Sequence, residues 1–141
     1  TATKKPFCHV FINRNVKTKI FSYGHFYFIG CFSADKIVVA ENRMVTFVNN
    51  LEDVYKPELA SIIYYMESVS QLKPLPKTKF RELKGNKDKV KEYEFKSKHL
   101  RIYAIQQKNG KIVIMGGYKN TQTKDINTFR ALKMQYLNSL K

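Results

Sequence analysis

The spacing of apolar positions along this 141-residue chain changes period three times, and each change marks a new kind of element. From Phe7 to Phe32, Phe, Tyr, Ile and Val recur at strand spacing, interrupted by Asn13-Arg14-Asn15 and Tyr23-Gly24-His25. Aromatic and β-branched side chains suit a pleated surface, and Asn and Gly suit turns, so strands are expected near 7–12, 16–22 and 25–32. Ser33-Ala34-Asp35 ends the run, and Lys36 to Ala40 predicts one more short strand.

The period then lengthens. Met44, Phe47, Val48 and Leu51 lie at i, i+3, i+4 and i+7, which predicts a helix near 41–51. Pro57 suits a first helical turn and Glu58 suits the positive end of the helix dipole. Leu59, Ile62, Ile63, Met66 and Val69 continue that second stripe to about residue 71, giving a helical hairpin across the short connection 52–56. Pro74 and Pro76 forbid further helix.

Beyond the prolines, strands are expected at 79–83, 91–96, 99–107 and 111–117, with Asn109-Gly110 as a hairpin turn between the last two. A last helix near 124–139, capped by Thr123, would bury Ile126, Phe129, Leu132, Tyr136 and Leu140. The fold class expected is α+β: an antiparallel β-sheet packed by the helical hairpin and a C-terminal helix, with extra N-terminal strands.

Charge sharpens this picture. Lys and Arg number 26 against 11 Asp and Glu, a formal net charge of +15. So large an excess on a small domain calls for an anionic partner: nucleic acid first, an acidic protein second, an anionic membrane surface third. Hydrophobic residues at 43% leave enough for a core, so a wholly disordered chain is excluded. The longest apolar run, Phe26 to Phe32, is too short to span a bilayer, and no signal-peptide layout is found, so a soluble cytoplasmic protein is expected. Cys8 and Cys31 lack metal or redox spacing and read as buried apolar residues, with a disulfide as the other option.

The excess is concentrated. Residues 73–111 hold thirteen Lys or Arg against four acids, Glu82, Asp88, Glu92 and Glu94. Strand side chains alternate between faces, so Phe95, Leu100, Ile102 and Ala104 must share the core side. A two-residue turn at Ser97-Lys98 would set Phe95 opposite Leu100 and Glu94 opposite Arg101, with Lys96 and Tyr103 on the same outer face. Lys87, Lys89, Lys91 and Lys98 lie close to turns and read as solvated surface, whereas Lys96 and Arg101 are fixed on a strand face.

The order of these pieces resembles the RelE/HigB-type toxins of bacterial toxin–antitoxin pairs. The matching segments are Phe80-Arg81-Glu82-Leu83-Lys84-Gly85, Tyr93-Glu94-Phe95-Lys96, Leu100-Arg101-Ile102-Tyr103, Ile112-Val113-Ile114-Met115 and Lys119-Asn120-Thr121-Gln122, with Ala131 in the last helix. Strand 36–40 and the helical hairpin look like the family's opening, so the resemblance covers about 36–139 and makes 36–141 the toxin-like domain. Residues 1–35 have no counterpart and are expected to extend the sheet. The chain departs from the family pattern at Lys96, where an Arg is usual, at Asn120, where a Lys is usual, and in lacking the Pro that opens the last helix.

The resemblance implies a ribosome-dependent mRNA endoribonuclease that needs no metal or cofactor and uses the 2′-hydroxyl of the RNA as nucleophile. It assigns charge stabilisation to Arg101 and Lys96, and further catalytic parts to Tyr103, His99 and Lys119. RNA contacts fall to Lys79, Arg81, Lys84, Lys98, Tyr118 and Asn120. Its partners would be mRNA on the ribosome and a cognate antitoxin, often one with a helix-turn-helix domain. Three alternatives stand beside it: a toxin of the same fold aimed at gyrase, as in the ParE branch, a non-catalytic module for RNA or an acidic protein, and a toxin occluded by its own N-terminal segment. His9 and His25 read as structural or surface residues. No carboxylate pair or His/Cys cluster has metal-ligand spacing, and no Gly-rich phosphate loop or Ser or Cys nucleophile motif is found.

Overall fold

The computed structural model describes residues 20–23, 26–29, 36–108 and 110–140. In chain order these form β1 (Ile20–Tyr23), β2 (Phe26–Ile29), β3 (Lys36–Ala40), α1 (Glu41–Asn50), a 3-10 turn (Asp53–Tyr55) and α2 (Lys56–Ser70). There follow β4 (Phe80–Glu82), β5 (Glu92–Lys96), β6 (Leu100–Gln107), β7 (Gly110–Tyr118), a second 3-10 turn (Lys119–Thr121) and α3 (Gln122–Ser139). The strand expected at 7–12, and Cys8, His9, His25, Cys31 and Asn109, lie outside the described residues. Among the described residues no helix is long and apolar enough to cross a membrane.

All seven strands join one sheet in the order β1-β2-β3-β7-β6-β5-β4, so the N-terminal strands extend the edge as expected. The sheet is not wholly antiparallel. β3 runs parallel to β7, with Val38 beside Ile112, whereas every other neighbour pair is antiparallel. The direction of two strands so far apart in sequence is set by the whole path between them, which local alternation does not encode.

Both faces of the sheet are covered. On one, Phe95, Leu100, Ile102, Ala104 and Val113 pack against Met44, Val48 and Leu51 of α1 and Leu59, Ile62, Ile63 and Met66 of α2. On the other, Tyr103, Ile105, Ile112, Ile114 and Met115 pack under Phe129 of α3. Each Leu, Ile, Val, Met or Phe among them contributes about 1.5–3 kcal/mol on burial. A register shift at Tyr103/Ala104 gives β7 an extra residue, which places Ile114 and Met115, neighbours in sequence, in the same core.

Three expectations change. The β5–β6 hairpin pairs Phe95 with Ile102 and Lys96 with Arg101, and Ser97 N–H donates to Leu100 O at 3.1 Å, so the turn is Lys98-His99 rather than Ser97-Lys98. This slip of two positions changes partners but keeps every side chain on its face, because the side-chain period is also two. α3 starts at Gln122 with Thr121 in the capping position, leaving Thr123 inside the first turn. Leu140 lies past the last helical residue and is 59% exposed rather than buried.

Candidate functional site

Glu58 stands in the first turn of α2, after Pro57, and its carboxylate meets the tip of the β5–β6 hairpin. One oxygen, Oε1, accepts the Ser97 hydroxyl at 2.5 Å and the His99 backbone N–H at 2.8 Å. The other, Oε2, lies 2.6 Å from His99 Nδ1. The imidazole is therefore fixed through Nδ1, while its side chain remains 45% exposed and Nε2 has no partner among the described residues. Burial pushes the Glu58 pKa up, but the hydrogen bonds from Ser97 and His99 outweigh it, and the net direction is down.

Aromatic rings wall the space beside this pair. Tyr55 lies 5.2 Å from the His99 ring and 5.5 Å from the Tyr118 ring, the tyrosines meeting at 65°. Phe47 backs Tyr118 at 6.0 Å. Tyr55, His99 and Tyr118, with Lys119 and Asn120, line an open cleft of about 290 Å³. The backbone N–H of Lys119 donates to His99 O at 2.8 Å, which ties the β7–α3 junction to the histidine turn. Burial first, then the acidic Glu52 and Tyr55, raise the Tyr118 pKa, so its hydroxyl stays protonated at neutral pH.

A cationic row runs along the α3 side of the same end of the sheet. Lys96 pairs across the strands with Arg101, and Arg101 with Gly117. Burial lowers the Lys96 pKa, and the neighbouring cations Arg81, Arg101 and Lys119 lower it further against the opposing effect of Glu94. Glu94 itself is buried: Arg81 Nε donates to its Oε1 at 2.5 Å and Gln122 Nε2 to its Oε2 at 2.9 Å. The two-residue slip sets Glu94 opposite Tyr103 in place of the expected Glu94–Arg101 pair, and Glu94 instead pairs with Arg81, its cross-strand neighbour on β4.

Arg101 and Tyr103 lie elsewhere than on an open face. Arg101 is only 6% exposed; its Nη1 donates to Ser97 O at 2.6 Å and Leu100 O at 2.8 Å, and its buried Nε has no partner among the described residues. Tyr103 is wholly buried on Phe129, ring centroids 5.4 Å apart, and its hydroxyl also has no partner among the described residues. Alternation identified a shared face correctly, but α3 covers that face rather than leaving it to solvent.

Of the residues singled out from sequence, His99, Tyr118, Lys119 and Asn120 converge on the cleft. Lys98 is exposed at the hairpin tip, and Lys79 is half-buried with its ammonium 5.5 Å over the Tyr65 ring. Lys84 is exposed in a different setting, where its carbonyl accepts Arg130 Nη2 at 2.7 Å. Glu58, Ser97 and Tyr55 were not identified as site residues, because only tertiary folding brings them to His99. A buried ionic knot also went unseen: Lys133, 1% exposed, donates to Asn86 Oδ1, Asp88 Oδ1, Val90 O and Glu92 Oε2 at 2.6–3.2 Å.

No protein-family profile, curated protein or solved structure matches this chain. Among the described residues no group of three or more His, Cys, Asp or Glu is placed to hold a metal ion.

Proposed function

We propose that this protein is an endoribonuclease of the RelE/HigB toxin kind, acting on mRNA at the ribosome, with His99 as its proton carrier. The observation that carries the reading is the His99–Glu58 pair held at 2.6 Å in an aromatic cleft beside Lys119. The order of elements from β3 onward, a strand, two helices, four strands and a helix, also supports it.

The chemistry follows from the free atoms. Nε2 of His99 takes the proton of the RNA 2′-hydroxyl, whose oxygen bonds to the adjacent phosphorus. The Lys119 ammonium offsets the charge that builds on the phosphorane oxygens. The bond from phosphorus to the 5′ oxygen then breaks, and the Tyr118 hydroxyl supplies that oxygen with a proton. The products are a cyclic 2′,3′-phosphate and a free 5′-hydroxyl. Lys96, Arg81 and the hairpin-tip Lys98 would hold phosphates on either side, and the cognate antitoxin would cover the same cations.

A second reading, a non-catalytic RNA-binding module, is favoured by the guanidinium of Arg101 being spent on main-chain carbonyls. The two separate on one experiment: map RNA 5′ ends after inducing the wild type, His99→Gln and Arg101→Ala in bacterial cells. New translation-dependent cuts that disappear in His99→Gln support the nuclease. Intact transcripts, with RNA retained by the purified protein, would leave the binding module. Growth arrest with intact RNA and inhibited supercoiling would point to a gyrase-directed toxin of the same fold.

A further inference from the structure

We infer that the cleft beside His99 is a seat for a single nucleotide, its base against the Tyr55–Tyr118 corner and its phosphate on Lys119. The inference deepens the nuclease reading by naming the part of the substrate the cleft takes. Two rings meeting at 65° form a corner that offers one face for stacking and one edge for contact, which suits a planar ring system. Phe47 supports Tyr118 from behind, so that wall is packed against the core. A cleft of about 290 Å³ has room for one base and its sugar.

The polar groups at the mouth are unspent. Neither the Lys119 ammonium nor the Asn120 amide hydrogen-bonds to another described residue, and both side chains are exposed. A cation and an amide beside an aromatic corner match the three parts of a nucleotide: phosphate, base edge and base face. Lys119 would take the charge, while Asn120 offers a donor and an acceptor to the base edge. This arrangement also puts the ribose next to His99, where a 2′-hydroxyl would meet Nε2.

The test is binding of nucleoside 3′-monophosphates to isotope-labelled protein, read from the backbone amides of Tyr118, Lys119 and Asn120. The expected result is saturable shifts at those amides, with affinity falling roughly 5- to 150-fold in Tyr55→Leu and little changed in Tyr55→Phe. Lys119→Ala should erase the advantage of a nucleotide over its nucleoside, and Asn120→Ala should level the preference among bases. Unshifted amides at millimolar nucleotide would overturn the seat. So would binding that inorganic phosphate reproduces and Tyr55→Leu leaves intact. Two assays on the wild type separate the two claims: nucleotide binding with no RNA cut refutes the nuclease and keeps the seat, whereas RNA cleavage without nucleotide binding does the reverse.

Discussion

His99 Nδ1 lies 2.6 Å from Glu58 Oε2 although 41 positions separate the two residues. Through its other oxygen the same carboxylate holds the Ser97 hydroxyl and the His99 backbone N–H. One side chain thus fastens the first turn of α2 to the β5–β6 turn and aims the imidazole at the cleft. A charged acceptor taking several hydrogen bonds is worth more than a neutral one, so the link should be felt in both stability and pH dependence.

Stability should therefore weaken on the acid side through Glu58. Its folded pKa is lowered below the ordinary 4.5, because the bonds from Ser97 and His99 outweigh the upward effect of burial. The folded state then binds fewer protons than the unfolded state between the folded value and 4.5. The stabilisation is complete above the ordinary value and is lost as pH falls through the folded one. Urea denaturation of wild type and Glu58→Gln should show a gap that is widest at neutral pH and closes in acid. A gap independent of pH would refute this account.

Lys133 should be among the least replaceable residues in the chain. Its ammonium is 1% exposed and meets Glu92, also 1% exposed, at 2.9 Å, with Arg130 on the other Glu92 oxygen at 3.0 Å. Lys133→Met keeps the bulk but leaves Glu92 with one cation instead of two in a site water hardly reaches. Removing one partner of a buried pair costs about 3–5 kcal/mol. The double variant Lys133→Met/Glu92→Gln should recover part of that loss in thermal or urea unfolding. Equal or greater loss in the double variant would show that packing of the lysine stem, and not the buried charge, is what matters.

Tyr103→Phe should be neutral or stabilising. The hydroxyl is buried without a partner among the described residues, and burial first, then Glu94 and Asp125, push its pKa up. Deleting a polar atom that has lost water and gained nothing removes a cost of about 1–3 kcal/mol. A destabilised Tyr103→Phe would mean that the hydroxyl has a partner, such as a bound water.

These contrasts show what one-dimensional pattern carries. Helix and strand placement followed from periodicity because burial on a helix or strand face repeats along the chain, as at Leu59, Ile62, Ile63 and Met66. Face assignment on β5 and β6 also held, since a slip of two preserves it. Alternation is blind to which layer lies above a face, so Arg101 and Tyr103 were expected in solvent when α3 covers them. The Glu58–His99 link joins two elements whose only common feature is their meeting point. Lys133 looked like any helix-surface lysine, because its acceptors come from a loop more than forty positions earlier.

Leu72 offers a local test of strain. It takes φ 62° just past α2, where Leu72 N–H donates to Val69 O at 2.9 Å and Lys73 N–H to Ser68 O at 2.9 Å. That is the left-handed helix ending in which glycine is usual, and a leucine Cβ is strained there. The side chain is 69% exposed, so little packing is lost on removing it. Leu72→Gly should raise stability by about 0.5–1 kcal/mol, the relief exceeding the entropy that glycine adds to the unfolded chain. Destabilisation would show that the exposed leucine makes contacts that matter more than the strain.

The positive end of the sheet should be read most directly by salt. Each cation that neutralises a phosphate of single-stranded RNA contributes about 0.7 to the slope of log affinity against log salt. Lys119→Ala and Lys96→Ala should each lower that slope by about this amount, whereas Lys84→Ala, in its separate setting beside Arg130, should leave it unchanged. Lys96 adds a second signature. Its pKa is held down by burial and by Arg81, Arg101 and Lys119, so a phosphate placed beside it would pull the value back up. RNA binding in alkaline solution should then take up protons, and Lys96→Met should abolish that uptake. An unchanged slope and no proton uptake at Lys96 would confine RNA to the cleft and leave the cationic row to another anionic partner.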